Sequence, residues 1–538
     1  MRYSTFVLPR HLGISFLFAL FLTMTCVSAN AQAIAQVTVD PNAAALTSAI
    51  PSDFVGLSLR QGDVQTVIGS MPVYGGPITM NTKFQTLIDN LGGLGGTAMT
   101  LRMLGDGPGP NTLHNALPVL AKLNASKSHK YFIGIDFQNG MNPYNGVSGQ
   151  TIVAEEVGDI TSGVLDPSSI EALELGNEPD NYPGETNSKY WADELTYWDA
   201  LGPIPQGLKF AAPVFAGNNT SFDEAGFVTT RHNQISMFDF HYYGGSNCQT
   251  TPPARNSLLL QASIAPPASA YQHNNPADPY LSNAITAAKS ASPVLPIRAG
   301  EINTIACHGA FGLSDTFTSA VWTLDMGMTY ALAGVNGINF FLATDQTYHK
   351  AESGSNAYNA FDFNSSGGLA YVAPEYYAMV LLEHMVANNA VIIPATIANN
   401  GLGYTAAWPK FKAWATRDTN GKVHVLLINK DDGSNGLPTD GTVTLALPGR
   451  GLVTVYRITS TGGVYNGWWD PNTGTIKPNG VTGMVMNNNQ TYDNSTDGNP
   501  LTLTNPIGPV PEAVSPVNGV YTLKVPVGNA VVLVVPAP

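Results

Sequence analysis

Short apolar runs recur along the first two thirds of the chain, each ending in polar or glycine-rich residues. They are Phe54–Arg60, Ala98–Leu104, Tyr131–Phe137, Ile170–Asn177, Leu208–Val214, Ile235–His241, Leu295–Glu301 and Gly337–Thr344. Helical patterns separate several of them. Tyr190–Leu201 places Trp191, Leu195 and Trp198 on one face, and Ser314–Leu332 reads as a long helix after the seventh run. Eight strand–helix units predict a (β/α)8 TIM barrel over residues 54–388. A doubly wound sheet is the alternative, but no G-x-G-x-x-G follows the first run to support nucleotide binding.

The texture changes near Asn389. Helical periodicity stops, and strand-like runs follow at Tyr404–Arg417, Lys422–Asn429, Thr442–Leu447, Leu452–Ile458 and Tyr521–Val535. Turns rich in Gly, Asn and Asp divide them, so residues 389–538 read as a C-terminal all-β sandwich. Residues 32–53 form a leading segment, whose stretch Gln36–Val39 is expected to add a strand to that sandwich. Met484–Asn499 reads as a polar, Asn-rich loop.

Before the first run lies a targeting pattern. Arg2 and Arg10 precede the apolar stretch Gly13–Met24, and Ser28-Ala29-Asn30-Ala31 carries an A-x-A cleavage pattern. We expect residues 1–31 to be a signal peptide, with Ala33 the alternative cleavage point, and the mature protein to be secreted or periplasmic. No later stretch is long and apolar enough for a membrane helix. Only Cys248 and Cys307 follow the leader. In an oxidising compartment they read as one disulfide, on loops after the sixth and seventh runs; the alternative is two unpaired thiols. No CxxC or HExxH spacing is present, so neither a metal nor a cofactor is expected.

Charge narrows the substrate classes. The chain of 538 residues has 24 Lys+Arg against 38 Asp+Glu, a net charge of −14, with 12% charged residues. That balance argues against a sequence-independent grip on nucleic acid, which needs clustered cations. It also disfavours a highly sulfated polyanion as the main substrate. Hydrophobic residues at 44% are enough for a large core.

The chemistry is carried by two carboxylates. In such a barrel the active site lies at the C-terminal ends of the strands. Glu178 ends the fourth run in Gly176-Asn177-Glu178-Pro179-Asp180, and Glu301 ends the seventh in Gly300-Glu301. Strands four and seven open on the same barrel mouth. Two carboxyls facing each other across a sugar are what glycosidic cleavage requires, one protonating the leaving oxygen while the other attacks or activates water. Pro179 biases Glu178 away from the helical region, which suits the exit of a strand. Asn177 places an amide beside the acid, where it could bind a sugar hydroxyl.

These residues carry a resemblance. Asn-Glu-Pro on strand four with a Glu ending strand seven resembles the retaining glycoside hydrolases of the large (β/α)8 clan. Within it the chain looks most like glycoside hydrolase family 79, the β-glucuronidase and heparanase family. Phe54-Val55-Gly56-Leu57-Ser58 and His241-Tyr242-Tyr243 match as well, and the resemblance spans nearly the whole mature chain. It implies Glu178 as general acid/base, Glu301 as nucleophile and a glucuronide-containing glycan or glycoconjugate as substrate. A neutral-sugar β-glycosidase and a non-catalytic carbohydrate-binding protein are the alternatives. One position departs from the family pattern: where Glu often stands two residues after the Ser, this chain has Arg60.

Further candidates surround the pair. His241 and Tyr243 end strand six, where a tyrosine could hydrogen-bond Glu301 and hold it ionised. Tyr348 and Lys350, in the polar loop after strand eight, could grip a substrate carboxylate. Arg102 is expected to pair with Glu174 inside the barrel. Trp468-Trp469 read as core packing rather than a sugar platform.

Overall fold

The computed structural model describes residues 35–537 except 93–98, 106–111, 138–148, 201–206, 217–221, 249–278, 292, 344–355, 365–366, 399–410, 433–440, 449–450, 474 and 506–511. The leader lies outside the described residues, as does the 344–355 loop with Tyr348 and Lys350.

All eight runs form strands, and these close in chain order into a parallel barrel. The strands are Val55–Arg60, Thr100–Leu104, Lys130–Ile135, Ile170–Leu175, Phe210–Phe215, Ile235–Tyr243, Ile297–Asn303 and Gly337–Phe341. Each is almost wholly buried, because helices cover the outside and side chains fill the inside. Alternation sorts those side chains. Phe132, Ala172, Ala211 and Met237 pack together as an apolar floor. Two residues further along their strands, the floor gives way to charge: Glu174 follows Ala172, and Asp239 follows Met237. The second strand contributes Arg102 to the same level, and all three are fully buried.

The helix read as Ser314–Leu332 runs Phe317–Ala333, because Thr316 caps it and turns the chain before it. It is buried nearly all round. One side faces the barrel; the other meets the last barrel helix, Pro374–Val386, and a β-sheet beyond.

Beyond residue 390 the chain is antiparallel sheet. One sheet of nine strands includes Phe411–Arg417, Val423–Asn429, Val453–Ser460 and Asn529–Val535. A second, four-stranded sheet pairs Ala35–Val39 antiparallel with Ala395–Ala398 and parallel with Thr442–Ala446. The strand Ala35–Val39 of the leading segment thus sits within this second sheet. Val37, Val39, Val425, Leu445, Tyr521 and Leu533 form the core between the sheets. The other face of the larger sheet packs into the barrel's own core through Trp414, Leu426 and Val532. Asp325, buried on the long barrel helix, accepts from Trp414 at 2.9 Å and pairs with buried Lys430. A buried pair of this kind is weak evidence for stability, because desolvation offsets its attraction. Within Met484–Asn499, expected as loop, Met484–Met486 and Gln490–Thr491 are short strands that extend the larger sheet. Trp468 is fully buried and stacks on Tyr371 at 3.9 Å, so it is core.

Candidate active site

The fourth barrel strand ends at Leu175, and the backbone just beyond it aims the first carboxyl. Gly176 sits at φ 80°, and a Cβ there would stand 2.6 Å from the Tyr182 hydroxyl and 2.8 Å from Phe137. Glu178 itself is left-handed, φ 54° and ψ 53°. The residue before Pro179 thus lies outside the right-handed helical region, in αL. Its N–H donates to the carbonyl of Val214 at 3.0 Å, and Val214 is also at positive φ, 62°. Two non-glycine residues in this region at one barrel rim, one of them β-branched, mark stored strain where strand ends must point a carboxyl inward.

Glu301 reaches the mouth by a different device. The seventh strand runs two residues past it, to Asn303, rather than ending there. Its register shifts between Ala299 and Glu301 against the sixth strand, and between Ala299 and Ile302 against the eighth. Gly300 lies in that irregularity. Its N–H donates to Asp239 Oδ1 at 2.8 Å, and a Cβ there would lie 2.4 Å from both Asp239 oxygens. The bulge inverts the alternation by one residue and re-aims Glu301 into the barrel.

Each carboxylate then meets a different company. Glu301 accepts from the Tyr243 hydroxyl at 2.6 Å and from Arg102 Nη1 at 2.8 Å. Tyr243 thus makes the hydrogen bond to Glu301 that the sequence suggested. Arg102 donates onward to Glu174 at 2.7 Å, to Ser58 Oγ at 3.1 Å and to Asn177 Oδ1 at 2.8 Å. The expected Arg102–Glu174 pair is present; the reach from Arg102 to Glu301 is the part that sequence reasoning missed. Burial opposes the guanidinium's charge, but Glu174, Glu301 and Asp239 outweigh it and hold Arg102 cationic. Burial, with the Glu301 charge, pushes the Tyr243 hydroxyl well above its ordinary range, so it stays a donor.

Glu178 has no cation in contact among the described residues. Its Oε1 lies 3.0 Å from His241 Nδ1, and its Oε2 accepts from Asn181 at 3.2 Å. Burial, then Arg102, pushes His241 down to about 3, so the ring is neutral. Burial raises Glu178 above the usual carboxylate range. The two glutamates therefore sit in different environments: burial favours the protonated form of Glu178, while Glu301 is clasped by a cation and a hydroxyl donor.

The site opens into a cavity of about 510 Å³, lined by Glu178, Glu301, His241, Tyr243, Arg60 and Tyr358 among others. The carboxyl oxygens of Glu178 and Glu301 and a ring nitrogen of His241 lie within 4.8 Å of one another. That spacing alone would suit a cation, but Arg102 and Tyr243 already engage both oxygens of Glu301 and oppose a second positive charge. Asn177 lies at the rim with its Oδ1 turned to Arg102, so its donor end faces away from the guanidinium. Cys248 and Cys307 are joined in a disulfide with Cα atoms 5.2 Å apart, tying together the two loops that follow strands six and seven. Backbone hydrogen bonds between Ala306 and residues Gly245 and Asn247 close the same junction.

No family model matches the chain. Among curated proteins, a β-glucuronidase of Aspergillus niger is 23% identical over 257 residues, 43% of this chain and 45% of that protein. A β-glucuronidase of Neurospora crassa is 24% identical over 328 residues, 52% of this chain and 56% of that one. The matches thus span about half the length of these relatives. The solved structure of a 4-O-α-L-rhamnosyl-β-D-glucuronidase from Fusarium oxysporum superposes with a TM-score of 0.63 at 18% identity, covering 92% of this chain and 100% of that one. In sequence and fold the chain is similar to the family 79 glycoside hydrolases. A family 51 arabinofuranosidase from Xanthomonas axonopodis shares the fold more distantly, with a TM-score of 0.58, 12% identity, and coverage of 94% of this chain and 100% of that one. The family 79-like motifs coincide with the site: Asn-Glu-Pro supplies Glu178, and His-Tyr-Tyr supplies the partners of both glutamates.

Proposed function

We propose that the protein is an exported retaining β-glucuronidase with Glu301 as nucleophile and Glu178 as general acid/base. The observation that carries this is that one carboxyl oxygen of Glu178 and one of Glu301 lie within 4.8 Å of each other. Retaining enzymes hold the two carboxyls about 5–5.5 Å apart, whereas inverting ones need about 6.5–9.5 Å to admit a water. Glu301 attacks the anomeric carbon as the glycosidic bond breaks and Glu178 gives its proton to the leaving oxygen. A glycosyl-enzyme ester results. Glu178, now ionised, takes a proton from water, whose oxygen attacks the anomeric carbon and releases the sugar and Glu301. The raised pKa of Glu178 fits the first step, and its left-handed, strained seat keeps the carboxyl facing the bond.

The β-glucuronide substrate is supported by the two curated relatives and the Fusarium structure. Export is supported by the leader pattern and agrees with the disulfide. The test is initial rates on a matched aryl β-D-glucuronide and aryl β-D-glucoside, with Glu178→Gln and Glu301→Gln, and proton NMR of the first-formed anomer. Preference for the glucuronide, lost in both variants, with the β-anomer appearing first, is expected. A preference for the glucoside would overturn the substrate, and the α-anomer first would overturn the mechanism.

A further inference from the structure

Arg60 ends the first barrel strand. Strand alternation places Gly56, Ser58 and Arg60 on the inner face, and the bond from Arg102 to Ser58 Oγ verifies that side. Arg60 is therefore carried to the barrel mouth rather than to the surrounding helices, whose core takes Leu57 and Leu59. It lines the same cavity as Glu178 and Glu301 and is only partly buried. Its guanidinium stands 6.0 Å from the centre of the Phe341 ring, at the end of the eighth strand. The barrel order seven–eight–one puts it two strands from Glu301, about 10 Å round the rim, near enough for one pyranose to meet both.

The buried Arg102 answers Glu301, Glu178 is proton-retaining, and His241 is neutral. Among the described lining residues Arg60 is the one Lys or Arg side chain, at the mouth where a sugar would enter. A neutral sugar gives such a group no charge to meet; a carboxylate does, through two parallel N–H donors. The Arg60 guanidinium lies over the Phe341 ring, at the edge of cation–π range. We propose that Arg60 is the specificity-determining residue of this site, binding the C5 carboxylate of a uronic acid in the sugar position next to the scissile bond. This rests on the glycosidase reading above and names the group that would recognise the acid.

The experiment compares kcat/KM for aryl β-D-glucuronide and aryl β-D-glucoside in the wild type, Arg60→Gln and Arg60→Lys. The glucuronide-to-glucoside ratio is expected to fall about 10- to 100-fold in Arg60→Gln, the scale of a lost charge-assisted pair, and to be partly restored in Arg60→Lys. Titration calorimetry with D-glucuronate and D-glucose on a Glu301→Gln background should show the acid's advantage lost when Arg60→Gln is added. An unchanged ratio, or an equal fall on both substrates, would overturn the role of Arg60 while leaving the glucuronidase reading intact. A wild type that cleaves no glucuronide would overturn that reading first, and this proposal with it.

Discussion

Replacing Tyr243 by Phe removes one hydroxyl and leaves the ring. The hydroxyl donates to Glu301 Oε1 at 2.6 Å, while Arg102 donates to the other oxygen at 2.8 Å. A hydrogen bond to a charged group is worth about 1.5–3 kcal/mol, and each 1.4 kcal/mol is about tenfold in rate. The size of the effect depends on when the bond is strongest. As the glycosyl-enzyme forms, Glu301 gives up its charge; as that ester breaks, the carboxylate regains it, and the Tyr243 donor meets the returning charge. We therefore expect the second step to suffer most in Tyr243→Phe. With an aryl β-D-glucuronide of good leaving group, kcat should fall about 10- to 100-fold, the scale set by that bond. KM should fall with it, and a pre-steady-state burst of phenol should appear. Rapid-quench kinetics reads the burst, and the trapped ester can be weighed by mass spectrometry of the denatured protein. Thermal unfolding should move little, because the ring stays near Tyr358 and Phe341 at the mouth. A change under about threefold in kcat with the fold intact would refute the assignment of Glu301 as the nucleophile that Tyr243 supports.

Three further outcomes test other links. In Glu178→Gln, turnover of substrates with poor leaving groups should drop about 10²–10⁴-fold. The alkaline limb of the pH–rate profile, which belongs to the buried acid and marks activity lost as pH rises through it, should vanish; azide should restore rate on activated substrates. Gly300→Ala should destabilise the fold by about 1–3 kcal/mol and cut activity, since its Cβ would sit 2.4 Å from Asp239; urea unfolding with activity measured alongside checks it. The Cys248–Cys307 bridge closes a loop of sequence separation 59, and its loss should cost about 2–4 kcal/mol by thermal unfolding, while the denatured, unreduced mature protein should give no free thiol from this pair.

Much of the fold is legible because burial on both faces writes a strand as a continuous apolar run. The eight runs declare themselves this way, and the order of turns and helices leaves one closed arrangement. Glu178 is legible through Asn-Glu-Pro; the positive φ of Gly176 that helps aim it shows only in the structure. Glu301 is less so, since Gly-Glu at the end of a run is common. Its inward direction comes from the bulge at Gly300, and a bulge changes which face a residue takes without changing composition.

Arg102 shows why the remainder is hidden. A single cation within Thr100–Leu104 signals a buried charge, and Glu174 inside the fourth strand offers an obvious answer. Sequence reasoning stops at that pair because it balances one plus with one minus. The barrel brings a third group, Asp239, to the same level, so a lone guanidinium serves Glu174, Glu301 and Asp239 at once. Burial raises both Glu174 and Asp239 above the usual carboxylate range, so a proton can be retained in the layer beneath the site. Removing that charge layer piecemeal should then damage the nucleophile from below. Glu174→Gln keeps size and hydrogen bonding but leaves Arg102 with fewer anions to hold, drawing the guanidinium more tightly onto Glu301. The carboxylate would be stabilised as an ion and slowed as a nucleophile, so the rate of glycosyl-enzyme formation should fall while the tertiary structure survives. Equal rates in Glu174→Gln and wild type would show that the layer only fills the barrel.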